Sequence, residues 1–159
     1  MEIERKWLIS GFPEGLPELE RAHAEQSYLC TAPVVRVRKK WNASGCSYVL
    51  CFKGKGTLAR EEIELMLDAG TYERIRALAG ADPIRKDYRV YALEGGLRLE
   101  CSRVDEGAPE EFYYAEVEFP TVEEALAFAP PAFLGREVTE ESGWGMAAYW
   151  ARTRAARGD

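Results

Sequence analysis

Residues that build nitrogen- and sulfur-ligated metal centres are scarce in this sequence. It has one histidine, His23, and four cysteines at positions 30, 46, 51 and 101, without a Cys-x-x-Cys pair or a second histidine to complete a zinc set. We therefore expect the cysteines to be buried free thiols in a reducing compartment, and His23 to lie on the surface.

Long apolar runs and excess positive charge are also missing. No stretch approaches the twenty or so apolar residues that a membrane helix needs, and the chain starts with acidic strand residues rather than a signal peptide. The net charge of -6 at pH 7 disfavours sequence-independent binding to nucleic acid. We expect a cytoplasmic protein without a membrane or nucleic-acid partner, in which any anion site is local.

The chain has no internal repeat, and its glycines and prolines are scattered rather than gathered into a linker. Residues 1–159 are therefore predicted to form one domain. Segments rich in Val, Tyr, Leu and Phe predict eight strands, at 2–9, 23–31, 34–41, 46–54, 60–68, 84–92, 96–104 and 112–119. Their hairpin order, together with a few helices, predicts an α+β fold built on an antiparallel sheet or barrel.

Three short helices are marked by capping residues and apolar spacing. Thr71 is predicted to cap the first helix, which Gly80 ends. Thr121 and Glu124 form a capping-box pattern for the second helix. Its inward-facing residues are expected to be Leu126 and Phe128. The third helix should pack through Met146, Tyr149, Trp150 and Thr153, with arginines 152, 154 and 157 around it.

Charged residues recur at alternate positions of the predicted strands. Because successive side chains of a strand point to opposite faces, such residues share one face. The pairs and triplets are Glu2/Glu4/Lys6, Arg36/Arg38, Glu62/Glu64 and Glu116/Glu118. A water-exposed face explains any one of these strands, but the recurrence weakens that explanation. If the sheet closes with these faces inward, the enclosed charges have to pair, stay hydrated or bind ions.

Charges of both signs suit a particular chemistry. Clustered carboxylates are hard ligands for Mg²⁺ or Mn²⁺, whereas arginine and lysine side chains match phosphate oxygens. The sequence has no Walker-type glycine loop, so side chains rather than a backbone nest would hold the phosphates. The pattern therefore indicates a metal and polyphosphate site.

These motifs, in this order, resemble the CYTH superfamily, the triphosphate tunnel metalloenzymes. The resemblance covers nearly the whole chain and rests on Glu2-x-Glu4-x-Lys6, Arg36-x-Arg38, Phe52-Lys53-Gly54, Arg60-x-Glu62-x-Glu64, Lys86, Glu116-x-Glu118-Phe119 and Glu137-Val138-Thr139. It implies an eight-stranded antiparallel β-tunnel with charged inward faces, which hydrolyses or cyclises triphosphates with a divalent cation, Mg²⁺ or Mn²⁺.

The resemblance also implies roles for individual residues. The metal ligands would be Glu2, Glu4, Glu116 and Glu118. The residues that bind the triphosphate would be Lys6, Arg36, Arg38, Lys53, Arg60, Lys86 and Arg89. The catalytic residues would be Lys6, Glu62, Glu64 and Glu100, with Glu62 and Glu64 completing the metal site or orienting the attacking water.

The sequence departs from the family pattern at three places. Many members have an aspartate where this chain offers Glu100 or Ser102, and we prefer Glu100. Lys86-Asp87-Tyr88-Arg89 replaces the usual Lys-x-Arg, so Arg89 reaches the lumen only if its strand contains a bulge. The segment 142–146 differs from the usual tyrosine-asparagine stretch, so that end of the tunnel is expected to differ.

The leading hypothesis is a metal-dependent hydrolase of inorganic triphosphate or a small organic triphosphate. Cyclisation of ATP, as in class IV adenylate cyclases, is the enzymatic alternative, although no purine pocket is recognisable. Non-catalytic binding of a polyphosphate or nucleotide is the alternative from another class, which the glutamate pairs disfavour. The partner is thus a small-molecule triphosphate; a homodimer is compatible with the sequence, which leaves the oligomeric state open.

Overall fold

The computed structural model describes residues 1–154, so Arg157 lies outside the described residues. The strands in this range are β1 (Glu2–Ile9), β2 (Glu18–Thr31), β3 (Val34–Asn42), β4 (Gly45–Lys53), β5 (Ala59–Arg60), β6 (Glu62–Met66), β7 (Ile84–Ala92), β8 (Arg98–Val104) and β9 (Phe112–Glu118). The α-helices are α1 (Ala69–Leu78), α2 (Val122–Ala127) and α3 (Met146–Thr153). None of these helices is long and apolar enough to cross a membrane.

The strands form one antiparallel sheet in the order β5-β1-β9-β8-β7-β2-β3-β4-β6. The strands at its two ends, β5 and β6, are consecutive in the chain and separated only by Glu61. The sheet therefore curls until its ends meet, which confirms the predicted α+β antiparallel barrel.

The barrel has nine strands rather than the eight predicted, because the strand expected over 60–68 is split. β5 pairs with β1, whereas β6 pairs with β4, so the chain changes partner between them. At the break the Glu61 carbonyl accepts a hydrogen bond from the Gly54 N–H at 3.0 Å. The split is a local interruption of the closing strand and leaves the tunnel topology unchanged.

One edge of β1 is covered by two segments of the chain. β5 pairs with only its first residues, and the segment 135–139 covers the rest. There the Val138 N–H donates to the Lys6 carbonyl at 2.8 Å. Gly135 is needed because a Cβ at this position would lie 2.4 Å from the carbonyl oxygen of Leu8. The late segment therefore completes the tunnel wall beside β1.

Two apolar clusters pack against the barrel, and the second of them extends into one end of the tunnel. The first packs the outer faces of β1, β8 and β9 against α2 and the segment that follows it, around Trp7, Leu99 and Val117. The second packs α3 against the barrel, around Ile84 and Trp150. Tyr28, Tyr114 and Met146 of the second cluster also line the cavity, so apolar packing closes one end of the tunnel while the strands present charged side chains along the rest of their inner faces.

The helix caps agree with the sequence except in α1. Asp68 rather than Thr71 caps α1, and its carboxylate accepts a hydrogen bond from the Thr71 N–H at 2.7 Å. The cap prediction for α1 was therefore wrong by three residues, since an aspartate preceding the helix competes for the same role. In α2 the Thr121 hydroxyl accepts from the Glu124 N–H at 3.1 Å, as predicted.

The predicted inward face is half wrong for α2 and correct for α3. Leu126 is 71% exposed, contrary to the prediction, and Ala125 is the buried residue of α2. Phe128 does face inward and packs against the rings of Trp7 and Phe119. The predicted side of α3 is confirmed, because all four of its residues are buried.

All four cysteines are free thiols, but only Cys51 and Cys101 are buried, whereas Cys30 and Cys46 are exposed. The prediction of buried thiols was therefore right for two of the four. His23 is exposed, as expected.

Asp105 ties α3 to the barrel. Its buried carboxylate accepts hydrogen bonds from the Arg154 guanidinium at 2.5 and 2.9 Å, the Tyr149 hydroxyl at 2.6 Å and the Arg85 N–H at 3.0 Å. Burial by itself would raise the pKa of Asp105, but the hydrogen bonds from Arg154 and Tyr149 outweigh it and hold this pKa below its ordinary value.

Replacing Asp105 with asparagine should lower the free energy of unfolding at pH 7 by about 3 kcal/mol, because it leaves the partly buried Arg154 without its charge partner. Asparagine tolerates the positive φ of 49° at this position, so the change isolates the charge. Since the native pKa is depressed, the stabilisation is fully present above the unfolded pKa near 4 and is lost progressively as the pH falls through the lower native pKa. Urea unfolding at pH 7 and below pH 4 measures both effects, with the exposed Asp82→Asn as control; an unchanged difference at the lower pH would contradict this account.

Candidate active site

The inward faces of the strands enclose a cavity of about 880 Å³. Every predicted site residue except Arg89 lines it: Glu2, Glu4, Lys6, Arg36, Arg38, Lys53, Arg60, Glu62, Glu64, Lys86, Glu100, Glu116 and Glu118. The structure thus brings together residues from both ends of the chain. Their placement matches the sequence analysis, whereas their individual roles stay predictions.

The strand register explains why these residues converge. Directly opposite residues of paired strands share a face, and Lys6 lies opposite Glu116, which itself lies opposite Glu100. On the other side, Glu2 lies opposite Arg60. Because residues two apart on a strand point to the same face, the other charged residues of each strand lie on this inner surface too.

Glu4 and Glu116 form a buried acidic pair across β1 and β9. Burial raises the pKa of Glu4 well above its usual range, and the charge of Glu116 and a hydrogen bond with it add to this. Burial opposes ionisation of Glu116 too, but Lys6, the hydrogen bond with Glu4 and Lys86 lower its pKa to about 2. The two shifts have opposite signs, so Glu4 holds a proton more readily and Glu116 less readily than an isolated glutamate does.

Glu2 is paired with basic side chains. The Lys53 ammonium lies 3.1 Å from both of its carboxylate oxygens, and Arg60 Nε lies 3.4 Å from one of them. Lys53 also forms an ion pair with Glu62 at 3.4 Å. Within residues 1–154, no three His, Cys, Asp or Glu side chains lie together in an arrangement that could hold a metal ion.

Arg36 has a buried donor, and no other group within residues 1–154 accepts a hydrogen bond from it. The residue is 8% exposed, and its Nε is buried without a hydrogen-bond partner. On β3 it lies opposite Tyr28 of β2 and Cys51 of β4. A buried guanidinium with an unused donor is a binding group for an anion.

Two lysines lie deeper in the cavity. The Lys6 ammonium donates to the Trp144 carbonyl at 2.7 Å, and the Lys86 ammonium donates to the Tyr114 hydroxyl at 2.5 Å. Burial lowers the pKa of Lys6 and lowers that of Lys86 further. The segment 138–148, which supplies the Trp144 carbonyl, contributes several residues to the lining of the same cavity.

Glu100 and Ser102, between which the sequence analysis had to choose, both face the cavity because they are two residues apart on β8. Glu100 accepts a hydrogen bond from the Tyr88 hydroxyl at 2.5 Å. Burial raises its pKa, which the Tyr88 hydrogen bond partly offsets. The structure therefore keeps Glu100 as a site candidate beside Ser102.

Arg89 does not reach the lumen, so the expectation that it binds substrate phosphate is corrected. It forms an ion pair with Asp87 at 3.1 Å, and its guanidinium lies 3.9 Å from the centre of the Phe12 ring. The physical reason is register, because β7 pairs with β8 without a bulge at this position. Lys86 and Tyr88 therefore point inward, and Arg89 points outward.

Several residues that line the cavity were not predicted from the sequence, among them Tyr28, Lys40, Tyr88 and Tyr114. Three of them carried a usable signal. Lys40, Tyr88 and Tyr114 each lie two residues from a predicted site residue, on the same strand face. The prediction used only pairs of charged residues at alternate positions, so it did not include the other residues of the same strand faces.

Comparisons with known proteins agree with this geometry. An inorganic triphosphatase of Nitrosomonas europaea is 33% identical over 140 residues, covering 88% of this chain and 90% of that protein. A crystal structure of an inorganic triphosphatase matches with a TM-score of 0.64 at 28% identity, covering 94% of this chain and 93% of the other.

A more distant structure supports the fold alone. It is a putative adenylyl cyclase from Hippeastrum with a dominant triphosphatase activity, which matches with a TM-score of 0.58 at 19% identity over 79% of this chain and 83% of its own. No protein-family model matches the chain.

Proposed function

Because the chain belongs to the inorganic triphosphatase family of triphosphate tunnel enzymes, we propose that it is a divalent-metal-dependent hydrolase of inorganic triphosphate or a small organic triphosphate. One observation carries this proposal. The tunnel cavity contains the acidic pair Glu4 and Glu116 together with Arg36, a buried guanidinium that has an unused donor. An anion binder alone would gain nothing from carboxylates that face its ligand.

The acidic residues fit a divalent cation. Burial and the neighbouring charge of Glu116 make Glu4 hold its proton more readily, and a cation can take the place of that proton between the two carboxyl groups. We propose that Glu2, Glu4, Glu116 and Glu118 hold Mg²⁺ or Mn²⁺, for which carboxylate oxygens are suitable ligands. A bound ion would act as a Lewis acid on the phosphate oxygens.

The basic residues would bind and orient the triphosphate. Arg36 can donate its unused Nε–H to a phosphate oxygen at once. Lys53 and Arg60 would exchange their contacts with Glu2 for phosphate oxygens, which frees Glu2 as a ligand. Positive side chains around the transferred phosphoryl group stabilise the charge that is spread over its oxygens in the transition state.

The attacking water would be oriented by cavity carboxylates other than the four proposed metal ligands. Glu62 and Glu64 lie on β6, and Glu100 lies on β8. All three line the cavity, and we propose that they orient the water for in-line attack. Lys6 would steady the arrangement from β1.

Phosphate release from tripolyphosphate, ATP and thiamine triphosphate, each with Mg²⁺, Mn²⁺ or a chelator, tests the proposal. We expect metal-dependent release from at least one substrate and none with the chelator. Tight binding without turnover under every condition would reject the hydrolase in favour of a binding protein. Conversion of ATP into a cyclic nucleotide would identify a cyclase instead.

A further inference from the structure

We propose that Tyr114 is a positioning residue, which fixes the ammonium groups of Lys6 and Lys86 in the tunnel without neutralising their charge. This inference rests on the proposed function, because its purpose is to present both cations to the triphosphate. Tyr114 lies on β9, two residues before Glu116, and is 2% exposed.

Tyr114 contacts the two lysines with different parts of its side chain. The Lys6 ammonium lies 4.0 Å from the ring centre, at a distance typical of a cation–π interaction. The Lys86 ammonium donates to the hydroxyl oxygen at 2.5 Å. One neutral side chain therefore contacts both ammonium groups, alongside the Trp144 carbonyl that also accepts from Lys6.

Tyr114 binds the two ammonium groups as a neutral side chain, which preserves their positive charge for an anion. A carboxylate in the same place would also hold the lysines, but it would neutralise them and compete with phosphate. The ring and hydroxyl of tyrosine attract a cation while they carry no net charge. Lys53 shows the contrast, because its ammonium is bound by the carboxylates of Glu2 and Glu62.

The ring itself is held firmly. Tyr114 belongs to the apolar cluster in which α3 packs against the barrel, together with Ile84, Tyr149 and Trp150. The Phe112 ring lies 5.8 Å from it, centre to centre. A group that is fixed by packing on one side can orient flexible lysine side chains on the other, because it loses little conformational freedom when they bind.

Tyr114→Phe removes the hydroxyl and keeps the ring, so it should affect Lys86 and spare Lys6. We expect kcat for tripolyphosphate to fall about 10-fold with a smaller change in KM, because misplacing a substrate-binding group by a fraction of an ångström slows the chemical step. The matched control is Tyr113→Phe, on the outer face of the same strand, where its ring contacts Phe12 and Arg103. This control should keep full activity.

A double-mutant cycle separates positioning from a structural role. In a Lys86→Met background, Tyr114→Phe should change kcat by less than about twofold, because the hydroxyl then has no ammonium to hold. An undiminished 10-fold effect in that background, or full activity of Tyr114→Phe alone, would overturn the inference. Thermal unfolding of each variant confirms that folded proteins are compared.

Failure of the proposed function would be recognised separately. If the wild-type protein releases no phosphate from any triphosphate, hydrolysis is rejected, and Tyr114 is then tested by calorimetric binding of tripolyphosphate in a chelator. Tyr114→Phe should weaken that binding about threefold, a modest loss expected of one displaced charged hydrogen bond. Unchanged affinity would reject the positioning role.

Discussion

Replacing Glu4 with glutamine should lower metal-dependent turnover by about 1,000-fold and leave the fold intact. Burial, the charge of Glu116 and a hydrogen bond with it raise the pKa of Glu4 well above its usual range, which favours the neutral form of this side chain. Glutamine imitates this neutral form, since its amide can donate to the Glu116 carboxylate in the same way. It cannot supply the negative charge that a divalent cation requires, so the metal site is lost while the packing is kept.

Phosphate release from tripolyphosphate at saturating Mg²⁺, together with urea unfolding in a chelator, checks both halves of this prediction. Glu14→Gln is the matched control, because Glu14 is exposed outside the tunnel and undergoes the same chemical change. Its activity and stability should equal those of the wild-type protein. Loss of cooperative unfolding in Glu4→Gln would show that the Glu4 charge is structural, and retained turnover would remove Glu4 from the metal site.

Alternation within single strands was enough to predict most of the inner surface. Glu2, Glu4 and Lys6 share a face in any β-strand, and the same holds for Arg36 and Arg38. What the pattern lacked was cross-strand register. That Glu4 forms an acidic pair with Glu116, more than a hundred residues away, depends on how β1 pairs with β9.

The errors have the same origin. Arg89 was assigned to the tunnel by analogy with a Lys-x-Arg motif, although Lys86 and Arg89 are three residues apart and a regular strand points them to opposite faces. The strand over 60–68 was predicted whole because a change of partner at Glu61 leaves no trace in composition. A single domain over 1–159 and a homodimer stay predictions.

Replacing Arg36 with methionine should slow turnover about 100-fold and yet stabilise the ligand-free protein by about 1 kcal/mol. The buried guanidinium keeps an unused donor at Nε, which costs free energy in the folded state until an anion accepts it. Methionine fills a similar volume without a charge or a donor, and such replacements of buried ions are often neutral or stabilising. The same donor is then missing when triphosphate binds, so activity falls.

Thermal unfolding with and without tripolyphosphate distinguishes this trade-off from simple damage. Without ligand, we expect the melting temperature of Arg36→Met to rise by about 3 °C. A tripolyphosphate concentration 100-fold above the wild-type dissociation constant should stabilise the wild-type protein by about 3 kcal/mol and the variant by much less, because stabilisation by a ligand follows its affinity for the folded state. Arg74→Met, which removes an exposed arginine on α1, is the control and should leave ligand stabilisation unchanged. If Arg36→Met instead lowers the ligand-free melting temperature by several degrees, the guanidinium supports the tunnel wall rather than the substrate.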